Sequence, residues 1–111
     1  MSVEGLYSVE FGGTSGPLTN GGIVVLESGR ILGGDSGFYY IGSYEVRDDV
    51  VAAHFVATNF TPSIPSAWGD EATSFSVRAT LRRVGDAMHG QIVRPGLSEG
   101  RASLTLRSKL P

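Results

Sequence analysis

Gly21-Gly22-Ile23-Val24-Val25-Leu26-Glu27-Ser28-Gly29-Arg30-Ile31-Leu32-Gly33-Gly34-Asp35 is the stretch whose reading decides the fold. Two short apolar runs meet at Ser28-Gly29, a dipeptide suited to a two-residue hairpin turn because glycine tolerates the positive φ such turns need. Glu27 and Arg30 flank the turn, where opposite charges can face each other across the strands. Paired glycines bracket both ends, and the rest of the chain repeats the pattern of short apolar strands and tight glycine turns.

Upstream, Glu4–Phe11 alternates Tyr7, Val9 and Phe11 with Ser8 and Glu10, the period of a half-buried strand. Downstream, Asp35-Ser36-Gly37 turns the chain into a strand over Phe38–Val46. There Phe38, Tyr40, Tyr44 and Val46 share one face, with Tyr39 and Ile41 on the other; Gly42 predicts a bulge or sharp bend. Arg47-Asp48-Asp49 leads into Val50–Phe60, which is apolar on both faces. One face therefore belongs to the core and the other needs a cover.

Thr61–Thr73 is the one long connection. Pro62, Pro65 and Gly69 break regular structure, while Ile64 and Trp68 predict a loop folded back over the barrel mouth. Phe75, Val77, Ala79 and Leu81 then point one way, with Arg78 and Arg82 opposite. Gly85-Asp86 turns the chain into Ala87–Arg94, and a last strand over Arg101–Arg107 points Ala102, Leu104 and Leu106 inward; residues 108–111 form a tail. The expected core is Tyr7, Val9, Phe11, Phe75, Val77, Leu81, Ile92, Leu104 and Leu106. Eight strands joined by short turns must be antiparallel neighbours. The expected fold class is therefore all-β, an eight-stranded up-and-down barrel within a single domain, residues 1–111.

Composition narrows the function classes. The 111 residues contain 16 glycines and no cysteine. Disulfides and thiolate metal sites are thereby excluded, and the expected compartment is a reducing one, the cytoplasm. Met1-Ser2-Val3-Glu4-Gly5 lacks the character of a signal peptide, and no apolar run suits a membrane helix. A net charge of −2 argues against direct nucleic-acid binding. The charge is uneven: residues 1–60 carry seven acids and two bases, residues 61–111 four acids and seven bases. Either the bias is a solvated surface or the two halves attract each other.

No catalytic, metal or cofactor constellation emerges. Gly34-Asp35-Ser36-Gly37 spells a serine-protease tetrapeptide, but no histidine precedes it, and the expected reading is an aspartate side-chain turn. His54 and His89 have no metal-ligand spacing. Arg78, Arg82, Arg101 and Arg107 form an outward basic stripe without stacking aromatics, the pattern of a solvated face. Glu45, Arg47, Asp48 and Asp49 crowd one exposed turn, suited to contact with a basic partner.

Gly5-Leu6-Tyr7-Ser8-Val9-Glu10-Phe11, the hairpin, and Tyr40-Ile41-Gly42 together resemble the GrlR family of bacterial negative regulators of type III secretion gene expression. The resemblance covers about residues 5–60. It implies a lipocalin-like (calycin-like) barrel, a homodimer, and action by binding an activator protein. The family prototype carries an acidic Glu-Asp-Glu-Asp turn for its partner; the matching stretch is Val46-Arg47-Asp48-Asp49, in which the two aspartates agree and Arg47 reverses a charge.

Two functions follow as expectations. One is a non-enzymatic regulatory module whose partner is a transcriptional regulator, with the dimer contact on Val51, Ala53, Phe55 and Ala57. The other is a carrier of a small apolar ligand, with Tyr40, Gly42, Tyr44 and Gly90 lining an interior cavity.

Overall fold

The computed structural model describes residues 2–111, with Asn20 by its backbone alone; Met1 lies outside the described residues. Eight strands follow in order: β1 Gly5–Gly12, β2 Thr19–Glu27, β3 Arg30–Gly34, β4 Phe38–Arg47, β5 Val50–Asn59, β6 Ser74–Val84, β7 Ala87–Val93 and β8 Gly100–Ser108. Each pairs antiparallel with the next, and β8 closes on β1 to complete the barrel. Among the described residues no helix is long and apolar enough to cross a membrane.

The deciding hairpin forms as its residues require. Ser28 and Gly29 have φ of 51° and 79°, the two positive values of a type I′ turn. Glu27 and Arg30 sit opposite each other and pair at 3.3 Å. Both are well exposed, so the pair contributes at most about 1 kcal/mol; the turn geometry sets the register.

Alternation carries one side chain in two inward on every strand. Tyr7, Val9, Val24, Leu26, Ile31, Val77, Leu81, Ile92 and Leu104 are buried, and Phe11, Phe75 and Leu106 pack against them. Leu26, Val51, Val77 and Met88 are essentially inaccessible to water. Burial of each such side chain contributes about 1.5–3 kcal/mol.

Gly42 is not a bulge. The β4–β5 register runs unbroken through ten pairs, from Phe38↔Asn59 to Arg47↔Val50. Glycine is required there because β5 approaches closely: a Cβ on Gly42 would lie 2.1 Å from the His54 carbonyl oxygen and 2.5 Å from the Phe55 Cα. The register shifts fall instead on β1, between Glu10 and Phe11 against β2 and between Leu6 and Tyr7 against β8.

The two ends of the barrel differ. The end carrying the 28–29, 48–49 and 85–86 turns is plugged by buried Val3, whose carbonyl accepts a 2.7 Å hydrogen bond from the Tyr7 hydroxyl. The other end carries the longer connections, including the 61–73 loop.

Candidate functional site

The sequence-derived candidates separate between one exposed turn and the barrel interior. Glu45, Arg47, Asp48 and Asp49 are exposed at the plugged end. Asp48 has φ of 57°, a left-handed conformation that aspartate tolerates, and the Asp49 carbonyl accepts the Arg83 amide at 2.8 Å.

The face assigned to a dimer contact requires correction. Val51, Ala53 and Ala57 are buried inside the barrel, and Phe55 packs at a tilt against Tyr40 within it, with ring centroids 5.4 Å apart. An even apolar character on both sides of β5 let periodicity choose the wrong side. The outward residues of β5 are Ala52, His54 and Val56. Val56 belongs to a row in register across five strands: Leu6, Val25, Leu32, Ile41 and Val56. Ile23 and Tyr39 extend the row on the same wall, and Phe60 packs against Tyr39 with centroids 6.4 Å apart. Ile23, Leu32, Tyr39, Ile41, Val56 and Phe60 are each at least 40% exposed, so the outer wall of β2–β5 presents a broad apolar surface to water.

The interior cavity also requires correction. Two voids of about 40 and 30 Å³ remain inside the barrel. Each has room for about one water molecule, far below the volume a small-molecule carrier needs. Tyr40 lines both, whereas Gly42, Tyr44 and Gly90 line neither. Gly90, like Gly42, marks close approach of strands: a Cβ there would meet the Thr80 carbonyl oxygen at 1.8 Å.

The larger spaces lie outside the barrel: one of about 610 Å³ on the outer wall beside His89, Gly90 and Arg101, and a second at the open end. A cleft of about 600 Å³ runs between the 13–17 segment and the 61–73 loop, floored by Phe11, Phe38 and Ile92 and walled by Trp68. The loop is strapped across the mouth as its apolar residues require. The Trp68 indole donates to the Ser98 carbonyl at 2.6 Å and meets the Phe75 ring edge-on at 5.7 Å. Arg94 donates two hydrogen bonds of 2.8 Å to Asp70 while its guanidinium stacks 3.9 Å above Phe75. The Arg94 and Ser66 hydrogen bonds hold the Asp70 carboxyl well below the usual carboxylate range. The sequence offers no signal for this pairing, because the partners lie in a loop and just beyond a strand.

Asp35 makes the side-chain turn that the sequence predicts: Oδ1 accepts the amides of Gly37 and Phe38, both at 2.8 Å. Its Oδ2 also accepts the Tyr40 hydroxyl from inside the barrel. Burial, reinforced by that hydrogen bond, pushes the Tyr40 phenol far above its ordinary value. Ser36 is exposed, and both histidines face outward on the wall. The His89 Nδ1 lies 3.1 Å from the Ser103 hydroxyl, and His54 sits opposite Ser43 and Arg78.

The basic stripe is partly consumed by structure. Arg101 donates to the carbonyls of Gly13 and Gly16, and Arg107 donates to the Ser8 hydroxyl at 2.8 Å. Among the described residues the two ion pairs, Glu27–Arg30 and Asp70–Arg94, each lie within one half of the chain, so the uneven charge does not join the halves through ion pairing. No protein-family model and no curated protein matches the chain.

Proposed function

We propose that this barrel is a non-enzymatic regulatory module that works by holding other protein surfaces: a second copy of itself and a transcriptional activator that it sequesters. The observation that carries the reading is the apolar outer wall of β2–β5, centred on Leu32, Ile41 and Val56. A contiguous apolar surface of this kind is the usual mark of a protein contact. The resemblance of residues 5–60 to GrlR supports the homodimer and the activator as occupants. The exposed Asp48-Asp49 turn, at the plugged end, supplies a negative contact for a basic partner. The packed interior weighs against the carrier reading.

Sedimentation velocity tests the self-contact. The wild type should sediment as a dimer at micromolar concentration, and Ile41→Lys with Val56→Lys as a species of 11.7 kDa. A wild type found only at that monomer mass overturns it. A photo-crosslinker placed at Asp48 in the native cell tests the regulatory partner. A crosslink to a DNA-binding activator supports the reading, and crosslinks restricted to copies of this chain overturn it.

A further inference from the structure

The open-end cleft has a chemistry that the protein-binding reading does not use. At about 600 Å³ it falls within the range of small-molecule sites, although the barrel beneath it is filled. Its floor and one wall offer aromatic and apolar surface from Phe11, Phe38, Ile92 and Trp68, and its charged lining is Asp35 and Glu99. Among the described residues no arginine, lysine or histidine lines it.

Asp35 decides the sign. The carboxylate is half-buried, and its partners are all neutral: two backbone amides and the Tyr40 hydroxyl. These three hydrogen bonds orient it, leave acceptor capacity on Oδ2, and do not cancel its charge. The two arginines at this end are committed elsewhere, Arg94 to Asp70 and Arg101 to the carbonyls of Gly13 and Gly16. An uncompensated negative charge between low-dielectric walls concentrates its field in the cleft. The Arg94 guanidinium already lies 5.7 Å from the Trp68 ring centroid, so the tryptophan offers a ligand apolar surface and the Asp35 carboxylate supplies the attraction for its charge.

We propose that the cleft binds a small organic cation, an amine or quaternary ammonium group carried on an apolar or aromatic body, with the charge directed to Asp35 and the body resting on Trp68 and Phe11. The aromatic surface accounts for the body and the Asp35 carboxylate for the charge. The voids below the cleft are too small to admit either, so the site is the mouth and not the barrel interior.

Trp68 is the chain's one tryptophan, so its emission reads the site directly. The probes are benzyltrimethylammonium, benzyl alcohol and benzoate, which share a ring and differ in charge. The ammonium should give a saturable change in Trp68 emission, with the alcohol and the anion at least about tenfold weaker and only the ammonium weakened by added salt. Asp35→Asn retains an oxygen for the Gly37 and Phe38 amides and removes the charge; it should weaken the ammonium about tenfold and leave the alcohol unchanged. Should that variant misfold, the charge series on the wild type and on Glu99→Gln carries the decision. An ammonium that binds no better than benzyl alcohol, or an emission that never saturates, overturns the proposal. The site lies apart from the outer wall of β2–β5, so sedimentation behaviour is independent of the outcome.

Discussion

Arg94 grips Asp70 with both terminal nitrogens, at 2.8 Å each, and so ties the end of β7 to the middle of the 61–73 loop. The guanidinium meets this carboxylate along its edge and the Phe75 ring on its face, with its side chain only 12% exposed. The loop is thus fixed by one planar group that satisfies a charge on its edge and an aromatic on its face.

The strap should respond to acid in a definite direction. Asp70 has a carboxyl pKa below its unfolded value, so its contribution is complete above about pH 4 and declines as pH falls toward the folded value. Asp70→Asn should lower the urea midpoint at pH 7, and the gap from wild type should narrow in acid. At neutral pH the variant should be cleaved faster within 61–73 by a protease. Equal cleavage rates would show that Trp68 and Ile64 hold the loop unaided.

Leu104 is buried at 5% exposure against Val9 on β1 and Met88 on β7 in the strand register. Leu104→Ala should cost about 2–5 kcal/mol in denaturant melts. A loss below about 0.5 kcal/mol, the size of a surface change, would place the side chain outside the core.

Gly42→Ala should destabilise the barrel for a purely steric reason. The new methyl group would meet the backbone of His54 and Phe55, which cannot move without parting β4 from β5. A cost of about 1–3 kcal/mol or more is expected, the range of overpacked interiors. Phe55→Ala leaves the His54 carbonyl in place, so it should not rescue the substitution; rescue would show that side-chain crowding is the obstacle.

Asp48→Asn with Asp49→Asn should leave stability within about 0.5 kcal/mol, because both side chains are exposed and asparagine tolerates the left-handed conformation at Asp48. Asp48→Val, branched at Cβ, should cost about 1–2 kcal/mol at the same position. Against a confirmed partner the double asparagine variant should associate more slowly, most visibly at low salt. An unchanged rate there would remove the turn from recognition.

The strand order was legible because alternation and two-residue turns are local signals. Glu27-Ser28-Gly29-Arg30 contains its own hairpin, and Phe75, Val77, Ala79 and Leu81 name their own face. β5 shows where local signals end. Val51 and Val56 are equally apolar, and only closure of the barrel sends one inward and the other out. Gly42 is ambiguous for the same reason, since the Phe55 backbone that requires it belongs to another strand. The mouth is the least legible part. Its aspartate turn is local and was readable at Asp35. The Tyr40 hydroxyl beneath that turn, the Arg94 clasp on Asp70 and the cleft itself depend on segments meeting in space.

The seam between β1 and β8 has a consequence for how the molecule reaches its final form. Leu6 pairs with Ser108 and Gly12 with Arg101, so the first strand waits for the last before its second edge is satisfied. Until then Ser8 and Glu10 sit on a row of open amides and carbonyls, able to join any passing strand. Joining contacts so distant in sequence is slow, on the order of milliseconds to seconds for barrels rich in non-local pairing. The half-made chain is therefore exposed to mispairing for longer than a helical protein of its size. Closure itself ends that hazard, because the finished barrel has no free edge.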